Sequence, residues 1–200
     1  MVDADDQRKR PPPLRPAMTP LRLRQLAENY VSRFGGPSSN LRRVLNRHVA
    51  KAAGATVPDS DLDPNYDREL NFGVTAQWKQ EISAIVEDFI QAGALDDGRY
   101  AQQAAQTLAQ RGVALRAVAM RLRQKGLAQA DIAQAVAQLG EPRQVEWQAA
   151  LQLVRRRRLG PYRPQEQRKQ MRHKDAAALC RAGFSASIAF AVVDGQQDPT

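Results

Sequence analysis

Apolar residues recur along most of this chain at the three- and four-residue spacing of amphipathic helices. One helix is predicted to end at Gly93, because glycine tolerates the left-handed conformation that is common just after a helix. Its apolar face is formed by Trp78, Ile82, Ile85, Val86 and Phe89. A second helix is predicted over residues 99–110, with the apolar face Tyr100, Ala101, Ala104, Ala105 and Leu108. Residues 93–101 therefore join two helices, and the Asp97 carboxylate is predicted to cap the second one.

Asp96 and Asp97 stand side by side in this joint. Acidic residues at the start of a helix accept hydrogen bonds from free backbone N–H groups and complement the helix dipole. The alternative is a metal-ligating or acid–base pair of carboxylates. No other cluster of ligand-type residues accompanies the pair in the sequence, so capping is the favoured interpretation.

The residues before Gly93 form a group of three predicted helices. The Thr-Pro pair at 19–20 supplies a capping hydroxyl and a proline at the first helical position, and this helix stops at the Gly-Gly-Pro of 35–37. The second helix is predicted to be capped by Ser38 or Ser39 and to close at Gly54. The apolar faces are Leu23, Leu26, Ala27, Tyr30 and Val31 in the first helix, and Leu41, Val44, Leu45, His48 and Ala52 in the second.

Residues 55–77 break the helical pattern with prolines, asparagines and aspartates, and they carry five acids and one arginine. This composition predicts a long surface loop, inserted before a third helix over residues 78–92. Because the entropy of loop closure depends weakly on length, we expect the insertion to be dispensable to the fold.

The same order of three helices recurs twice more. The second helix of each copy ends at a glycine, and Gly54, Gly126 and Gly183 fall in equivalent places. In the second copy, the later helices have the apolar positions Leu115, Val118, Ala119 and Leu122, then Ile132, Ala135, Val136 and Leu139. In the third copy these positions are Trp147, Ala150, Leu151 and Val154, then Met171, Ala178 and Leu179, then Ile188, Val192 and Val193 after the capping residue Ser185. Units this small bury apolar surface by stacking on one another.

We therefore predict an all-α protein of three tandem three-helix repeats, helix-turn-helix-like, stacked into an elongated, curved solenoid. Residues 1–18 are predicted to be a disordered, basic and proline-rich leader. The repeats are predicted over residues 19–95, 96–140 and 141–195, and a short tail over 196–200.

Composition agrees with this class and points to the kind of partner. Hydrophobic residues make up 42% and aromatic residues only 6%, which favours close-packed helices over strands. A net charge of +9 and a pI near 10.3 indicate a polyanionic partner, or an assembly that contains one. There is neither a long apolar stretch for a membrane helix nor a signal-peptide core, so we expect a cytoplasmic protein. The single cysteine, Cys180, excludes an intramolecular disulfide and is expected to be a small buried thiol.

No catalytic constellation is visible in the sequence. It has no phosphate-cradling glycine loop ending in Lys-Ser or Lys-Thr, no His-Glu-x-x-His and no nucleophile elbow, so we expect neither an enzyme nor a bound cofactor. His48 and His173 stand apart from each other and from cysteine, which favours ordinary helix-face roles over metal binding. Trp78 and Trp147 are in phase with aliphatic neighbours, and core packing is favoured over base stacking.

Positive charge is concentrated on the second helix of each repeat, and it is the strongest functional signal in the chain. If equivalent helices stack on one side, these residues are predicted to form a basic stripe suited to a long anionic target. The candidates are Arg42, Arg43, Arg47 and Lys51, then Arg116, Arg121, Arg123 and Lys125, then Arg168, Lys169, Arg172 and Lys174. The run Arg155, Arg156, Arg157 and Arg158 is predicted to extend the stripe, although a basic run at a helix end also complements the dipole or serves as a solvated face.

The residues alone predict a basic helical-repeat protein that binds nucleic acid or a nucleoprotein. The alternative is a helix-turn-helix DNA-binding protein or transcriptional repressor. Against that alternative, the units are tandem and unequal, so they do not offer a two-fold pair of recognition helices for adjacent major grooves.

Four motifs resemble those of the RecX family, the regulators of the RecA recombinase. They are Gly93-x-Leu95-Asp96-Asp97-x-x-Tyr100-Ala101, Arg111-Gly112, Leu122-Arg-Gln-Lys125-Gly126-Leu127 and Arg181-Ala-Gly183-Phe184-Ser185. The resemblance covers residues 21–193, and the 55–77 insertion and the leader depart from it. It implies a protein that has no enzymatic activity of its own and binds the RecA filament on single-stranded DNA. We also expect a monomer, with duplex DNA as a further candidate ligand. The resemblance also implies that such a protein lies in the filament groove, bridges protomers, and inhibits the recombinase and coprotease activities of RecA.

Overall fold

The computed structural model describes residues 17–54 and 74–196. Within these ranges the chain forms nine α-helices and one 3₁₀ turn, with no strand. The helices are α1 Pro20–Phe34, α2 Ser38–Ala52, α3 Ala76–Gln91, α4 Asp97–Gln110, α5 Leu115–Gln124, α6 Gln129–Ala137, α7 Pro142–Arg157, α8 Gln165–Arg181 and α9 Ala186–Val193, and the turn is Gly160–Tyr162. The predicted all-α class is confirmed.

The nine helices fall into three units of three, each with its own hydrophobic core. We call them the first unit (α1–α3), the second unit (α4–α6) and the third unit (α7–α9). Fully buried aliphatic side chains lie at the centre of each core: Leu23, Leu41, Leu45 and Ile82 in the first, Val118, Leu122 and Ile132 in the second, and Val154, Leu179 and Val192 in the third. Trp147 is buried in the third core, as its phase predicts.

The helix ends follow the predicted signals in most places. Thr19 and Ser185 accept hydrogen bonds from backbone N–H groups three residues ahead, which makes them the N-caps of α1 and α9. Gly126 and Gly183, with φ of +77° and +103°, lie just beyond α5 and α8 in the left-handed region. A side chain is rarely tolerated there, and this explains why the repeats share a glycine at this point.

The insertion and the termini fall mostly outside the described residues. This holds for residues 55–73, for the leader up to residue 16 and for the tail after 196. Two boundaries of the prediction are wrong. Met18 packs against the first core, and the helix after the insertion begins earlier than predicted, at Ala76, with Thr75 as its cap and Val74 buried before it.

The joint between the first and second units differs from the prediction in an informative way. Asp96, and not Asp97, caps α4: its Oδ1 accepts the Arg99 N–H at 2.8 Å. Asp97 is the first residue of α4, and its carboxylate reaches back across the junction to the start of α2. There it accepts the backbone N–H of Ser38 at 2.7 Å and the Ser38 hydroxyl at 2.6 Å. The prediction that Ser38 or Ser39 caps α2 is therefore wrong, because the acceptor comes from the next unit.

The junction between the second and third units also places an acid near the start of a second helix. Like α2, helix α5 begins without a side-chain cap from its own sequence. Burial raises the pKa of Glu146 in α7, and an interaction with the backbone of Leu115, the first residue of α5, opposes the rise.

The second helices follow one another end to end. A Cβ on Gly126, just beyond α5, would lie 2.8 Å from the Cβ of Ser39 at the start of α2. Gly183, just beyond α8, packs in the same way on Ala114 and Ala117 at the start of α5. The Ser39 hydroxyl also donates to the carbonyl of Lys125. This serial packing produces the stacked solenoid that the sequence predicts.

Two smaller expectations need correction, and two further features are visible only in the structure. Tyr100 is half-buried within the second core. Cys180 is exposed, not a buried thiol. In α2, Ala52 is exposed because it is the last residue of the helix, and Val49, four residues after Leu45, is buried instead. Arg163 and the buried Asp175 form an ion pair at 2.7 Å that helical periodicity does not predict. No described helix has the length and apolar character needed to cross a bilayer.

Candidate nucleic-acid interface

Two grooves lie where the three units meet. The first groove runs between the first unit and α5, and its volume is about 740 Å³. Four of its lining residues are basic: Arg43 and Arg47 from α2, and Arg121 and Lys125 from α5 and its end. The remainder are Tyr30, Phe34, Asn40, Val44 and Gln124.

The second groove runs between α5 and the third unit, and its volume is about 750 Å³. Six of its lining residues are basic: Arg116, Arg121, Arg123, Arg156, Arg157 and Arg181. Three of these come from α5, two from the last turn of α7, and one from the end of α8.

Arg121 lines both grooves and connects them. The linings of the two grooves contain no acidic residue among the described positions. We call this surface the basic track: Arg43, Arg47, Arg116, Arg121, Arg123, Lys125, Arg156, Arg157 and Arg181. The track crosses all three units, because the end-to-end order of α2, α5 and α8 brings the last turn of one helix beside the first turns of the helix before it.

The electrostatics of the track come from arginine and lysine rather than histidine. Burial, together with the charges of Lys51, Arg47 and Arg22, lowers the pKa of His48 below its usual value. His48 is therefore neutral at physiological pH, and α2 keeps a fixed positive charge supplied by its arginine and lysine side chains. Among residues 17–54 and 74–196, no group of three His, Cys, Asp or Glu side chains is arranged to hold a metal ion.

Comparison with known proteins identifies the family. A family model described as RecX, second three-helix domain, matches residues 96–136, which span α4, α5 and nearly all of α6. The regulatory protein RecX of Myxococcus xanthus (strain DK1622) is 34% identical over 196 residues, which is 94% of each chain. This chain belongs to the RecX family. A crystal structure of a regulatory protein RecX matches the fold with a TM-score of 0.56 at 20% identity, covering 84% of this chain and 68% of that one.

The basic track contains half of the basic residues that the sequence nominates for this RecX-family chain. From the first unit the track takes Arg43 and Arg47, and from the third unit it takes Arg156 and Arg157. All four nominated residues around α5 line one groove or both. The nominated residues outside the two linings are Arg42, Lys51, Arg155, Arg158, Arg168, Lys169, Arg172 and Lys174.

Several of these outer residues have other contacts. Arg42 donates to the Ser83 hydroxyl of α3 at 2.9 Å. Arg168 donates to the carbonyl of Arg163. Arg172 makes two 2.6 Å hydrogen bonds to the Asp194 carboxylate and also lies over the ring of Phe190.

The length of α8 explains why two of its nominated residues, Arg168 and Lys169, miss the track. Helix α8 has 17 residues, whereas α5 has 10. Counting back from the shared glycine, Arg168 and Lys169 fall in an N-terminal extension that has no counterpart in α5. The part of α8 that abuts α5 is its last turn, with Cys180 and Arg181.

Sequence reasoning missed Arg181 as a groove residue, although Arg181 belongs to the last of the four family motifs. The available signal was its position two residues before Gly183, which matches that of Gln124 before Gly126. Two exposed apolar side chains in the grooves, Phe34 in the first and Met120 in the second, were missed as well. Both belong to amphipathic helices, and periodicity alone does not distinguish an exposed apolar side chain at the edge of such a helix from a buried one.

Two track residues also brace the fold. The guanidinium of Arg156 donates to the carbonyl of Arg111 at 2.8 Å, which ties α7 to the turn after α4. Arg123 donates to the Gln129 side chain at 2.8 Å. Variants intended to test binding should therefore avoid these two residues and use Arg116, Arg121 and Lys125.

Proposed function

We propose that this RecX-type regulator binds the RecA filament on single-stranded DNA through its basic track and thereby inhibits the recombinase and coprotease activities of RecA. It acts by binding, without catalysis or a cofactor of its own. It would in this way modulate homologous recombination and the SOS response in the cytoplasm. The observation that carries the proposal is the continuity of the track across all three units.

The shape and charge of the track suit an extended polyanion. Its two grooves meet at Arg121, so a single strand could pass from one groove to the other and remain beside basic side chains throughout. Proteins that bind single strands use a cationic groove of this kind to follow the phosphates. An elongated molecule is also suited to lie along a filament and touch several of its subunits.

We also propose that the protein is a monomer built of three repeats, over residues 19–95, 96–140 and 141–195. Each unit has a core of its own, so the three can present their second helices in series. A monomer carries one uninterrupted track and needs no second copy to complete it.

A pair of charge-matched variants tests the proposal. The track variant replaces Arg116, Arg121 and Lys125 by glutamine. The control variant replaces Arg155, Lys169 and Lys174 by glutamine and so removes the same number of positive charges. These three residues are also exposed, but they line neither groove. Both should retain the wild-type helix content, because none of the six side chains is buried.

The track variant should bind single-stranded DNA more weakly than wild type. The slope of log affinity against log salt should flatten by about 0.7 for each phosphate that the variant no longer neutralises. The variant should also inhibit RecA strand exchange less than wild type does. The control variant should match wild type once the general effect of net charge is screened by salt. If both variants bound single-stranded DNA equally weakly, only net charge would matter. If the track variant inhibited RecA strand exchange as fully as wild type, the proposal would be refuted.

A helix-turn-helix repressor is the competing class, and two measurements separate it. Selection of one duplex sequence from a random pool by the purified protein would support the repressor. Capture of RecA from lysate that survives nuclease treatment would support a direct protein contact.

A further inference from the structure

An aromatic pair lies at one end of the basic track. Tyr30 and Phe34 are one turn apart on α1, and their ring centroids are 5.6 Å apart with the planes inclined at 36°. Both residues line the first groove. Phe34 is 70% exposed, whereas Tyr30 is half-buried against the first core. One ring is thus anchored in the protein and supports a second ring that faces water.

The local sequence fixes where the outer ring sits. Phe34 is the last residue of α1, and the chain turns at once through Gly35, which has a φ of +44°. Residues four apart on a helix stack along one face, so Tyr30 limits the movement of the Phe34 ring. The Tyr30 hydroxyl packs against Gly36, where a Cβ would lie 3.5 Å from it. The two rings of Tyr30 and Phe34 are therefore largely in place before any ligand binds.

A single exposed phenylalanine would carry no inference, because isolated apolar side chains are common on protein surfaces. The surroundings of Phe34 make the difference. Arg43 and Arg47 of α2, with Arg121 and Lys125 across the junction, line the same groove. Aromatic faces beside a cationic groove are the combination that binds single-stranded nucleic acid, since bases stack on the rings while phosphates meet the cations. The groove volume of about 740 Å³ lies within the range of about 300–1,000 Å³ that is usual for ligand sites.

We infer that Phe34, supported by Tyr30, is a stacking site for one unpaired base of single-stranded DNA. This inference rests on the proposed function and adds to it a means of recognising strand form. The bases of a duplex are already stacked on each other and cannot cover the ring without being unstacked. Phosphates are present in both forms, so the cations of the track attract either one. Phe34 therefore supplies the preference for a single strand.

The experiment compares Phe34→Ala with a matched control, Leu21→Ala. Leu21 is also on α1 and also 70% exposed, but it does not line the groove. Affinities for an oligothymidine strand and for a duplex of equal length are measured at several salt concentrations, without RecA. Removal of the stacking ring should weaken single-strand binding by about 5- to 150-fold in Phe34→Ala. Duplex binding and the salt slope should stay at wild-type values. Leu21→Ala should match wild type throughout, and Phe34→Trp should restore binding.

A fluorescent base analogue reports stacking directly. A strand containing 2-aminopurine should be quenched by wild type and by Phe34→Trp, and not by Phe34→Ala. Unchanged single-strand affinity in Phe34→Ala, or an equal loss of affinity for strand and duplex, would overturn the stacking site. Either result would leave the proposed function standing, because that depends on Arg116, Arg121 and Lys125. Conversely, if the track variant bound single-stranded DNA as wild type does, the proposed role of the track would be refuted, independently of the results for the Phe34 variants.

Discussion

Replacing Asp97 by alanine should weaken the junction between the first and second units, and the contacts of its carboxylate set the size of the effect. The carboxylate accepts two hydrogen bonds from Ser38, at 2.7 Å from the backbone N–H and 2.6 Å from the hydroxyl. A hydrogen bond to a charged group contributes about 1.5–3 kcal/mol when buried, and Asp97 is only half-buried. We therefore expect Asp97→Ala to lower the free energy of unfolding by roughly 2–3 kcal/mol. For a protein of this size, that corresponds to a fall in Tm of roughly 4–12 °C.

A double-mutant cycle with Ser38→Ala isolates the junction from ordinary capping. The single Ser38→Ala change removes only the hydroxyl bond and should cost about 1 kcal/mol, and the same amount should appear as coupling between Ser38 and Asp97. Asp96→Ala is the matched comparison, because Asp96 caps α4 within its own unit by accepting the Arg99 N–H. It should cost about 1 kcal/mol and show no coupling to Ser38 beyond about 0.3–0.5 kcal/mol.

Urea unfolding followed by circular dichroism measures all of these quantities. The reasoning fails if Asp96 and Asp97 behave alike in the cycle, since both would then act as local caps of α4. It also fails if Asp97→Ala leaves Tm unchanged.

Three further predictions concern stability. Gly126→Ala should destabilise more than Gly93→Ala: both glycines have positive φ, but a Cβ at Gly126 would lie 2.8 Å from Ser39 and one at Gly93 meets nothing within 4 Å. Equal falls in Tm would show that the junction adapts. Tyr100→Ala should cost roughly 2–3 kcal/mol, below the 3–5 kcal/mol of a fully buried aromatic, and an unchanged melt would make the ring a contact site. Asp175→Asn should lower the free energy of unfolding by about 3–5 kcal/mol at neutral pH, and stability should then depend less on pH in the acidic range. A pH dependence equal to that of wild type would count against the ion pair.

The sign of the Asp175 effect follows from its surroundings. Burial alone would raise the pKa of Asp175, but hydrogen bonds from Arg163 and from the Gly160 N–H outweigh it and hold the pKa below the ordinary value. A carboxylate whose pKa is lower in the folded state adds stability above its unfolded pKa, which is about 3.9. That stability is lost as the pH falls through the folded value. The asparagine variant lacks this contribution at every pH.

The sequence was sufficient for the helices, their order and their glycine stops, because those depend on residues within a few positions of each other. Apolar spacing and a positive-φ glycine suffice to place the end of α5 at Gly126. The junctions could not be predicted in the same way. Ser38 and Asp97 are 59 positions apart, and only the folded chain shows that one satisfies the other.

The candidate interface was predictable only in part for a related reason. Helical periodicity tells which face of its own helix a side chain occupies, not what the next unit places against that face. Arg42 and Arg43 are adjacent in sequence, yet Arg42 bonds to Ser83 while Arg43 lines the first groove. Likewise, charge counting nominates the first turns of α8, whereas the part that meets α5 is its end at Arg181.

Capping from one unit to the next has a consequence for how the chain is made. A ribosome releases the start of α2 long before it releases Asp97, the acceptor for the Ser38 N–H. Until Asp97 emerges, the nascent α2 presents backbone donors that no side chain of its own unit caps. The first unit can therefore complete its hydrogen bonding only after the start of the second unit has been synthesised. A chain truncated after α3 would therefore lack the carboxylate that binds the start of α2.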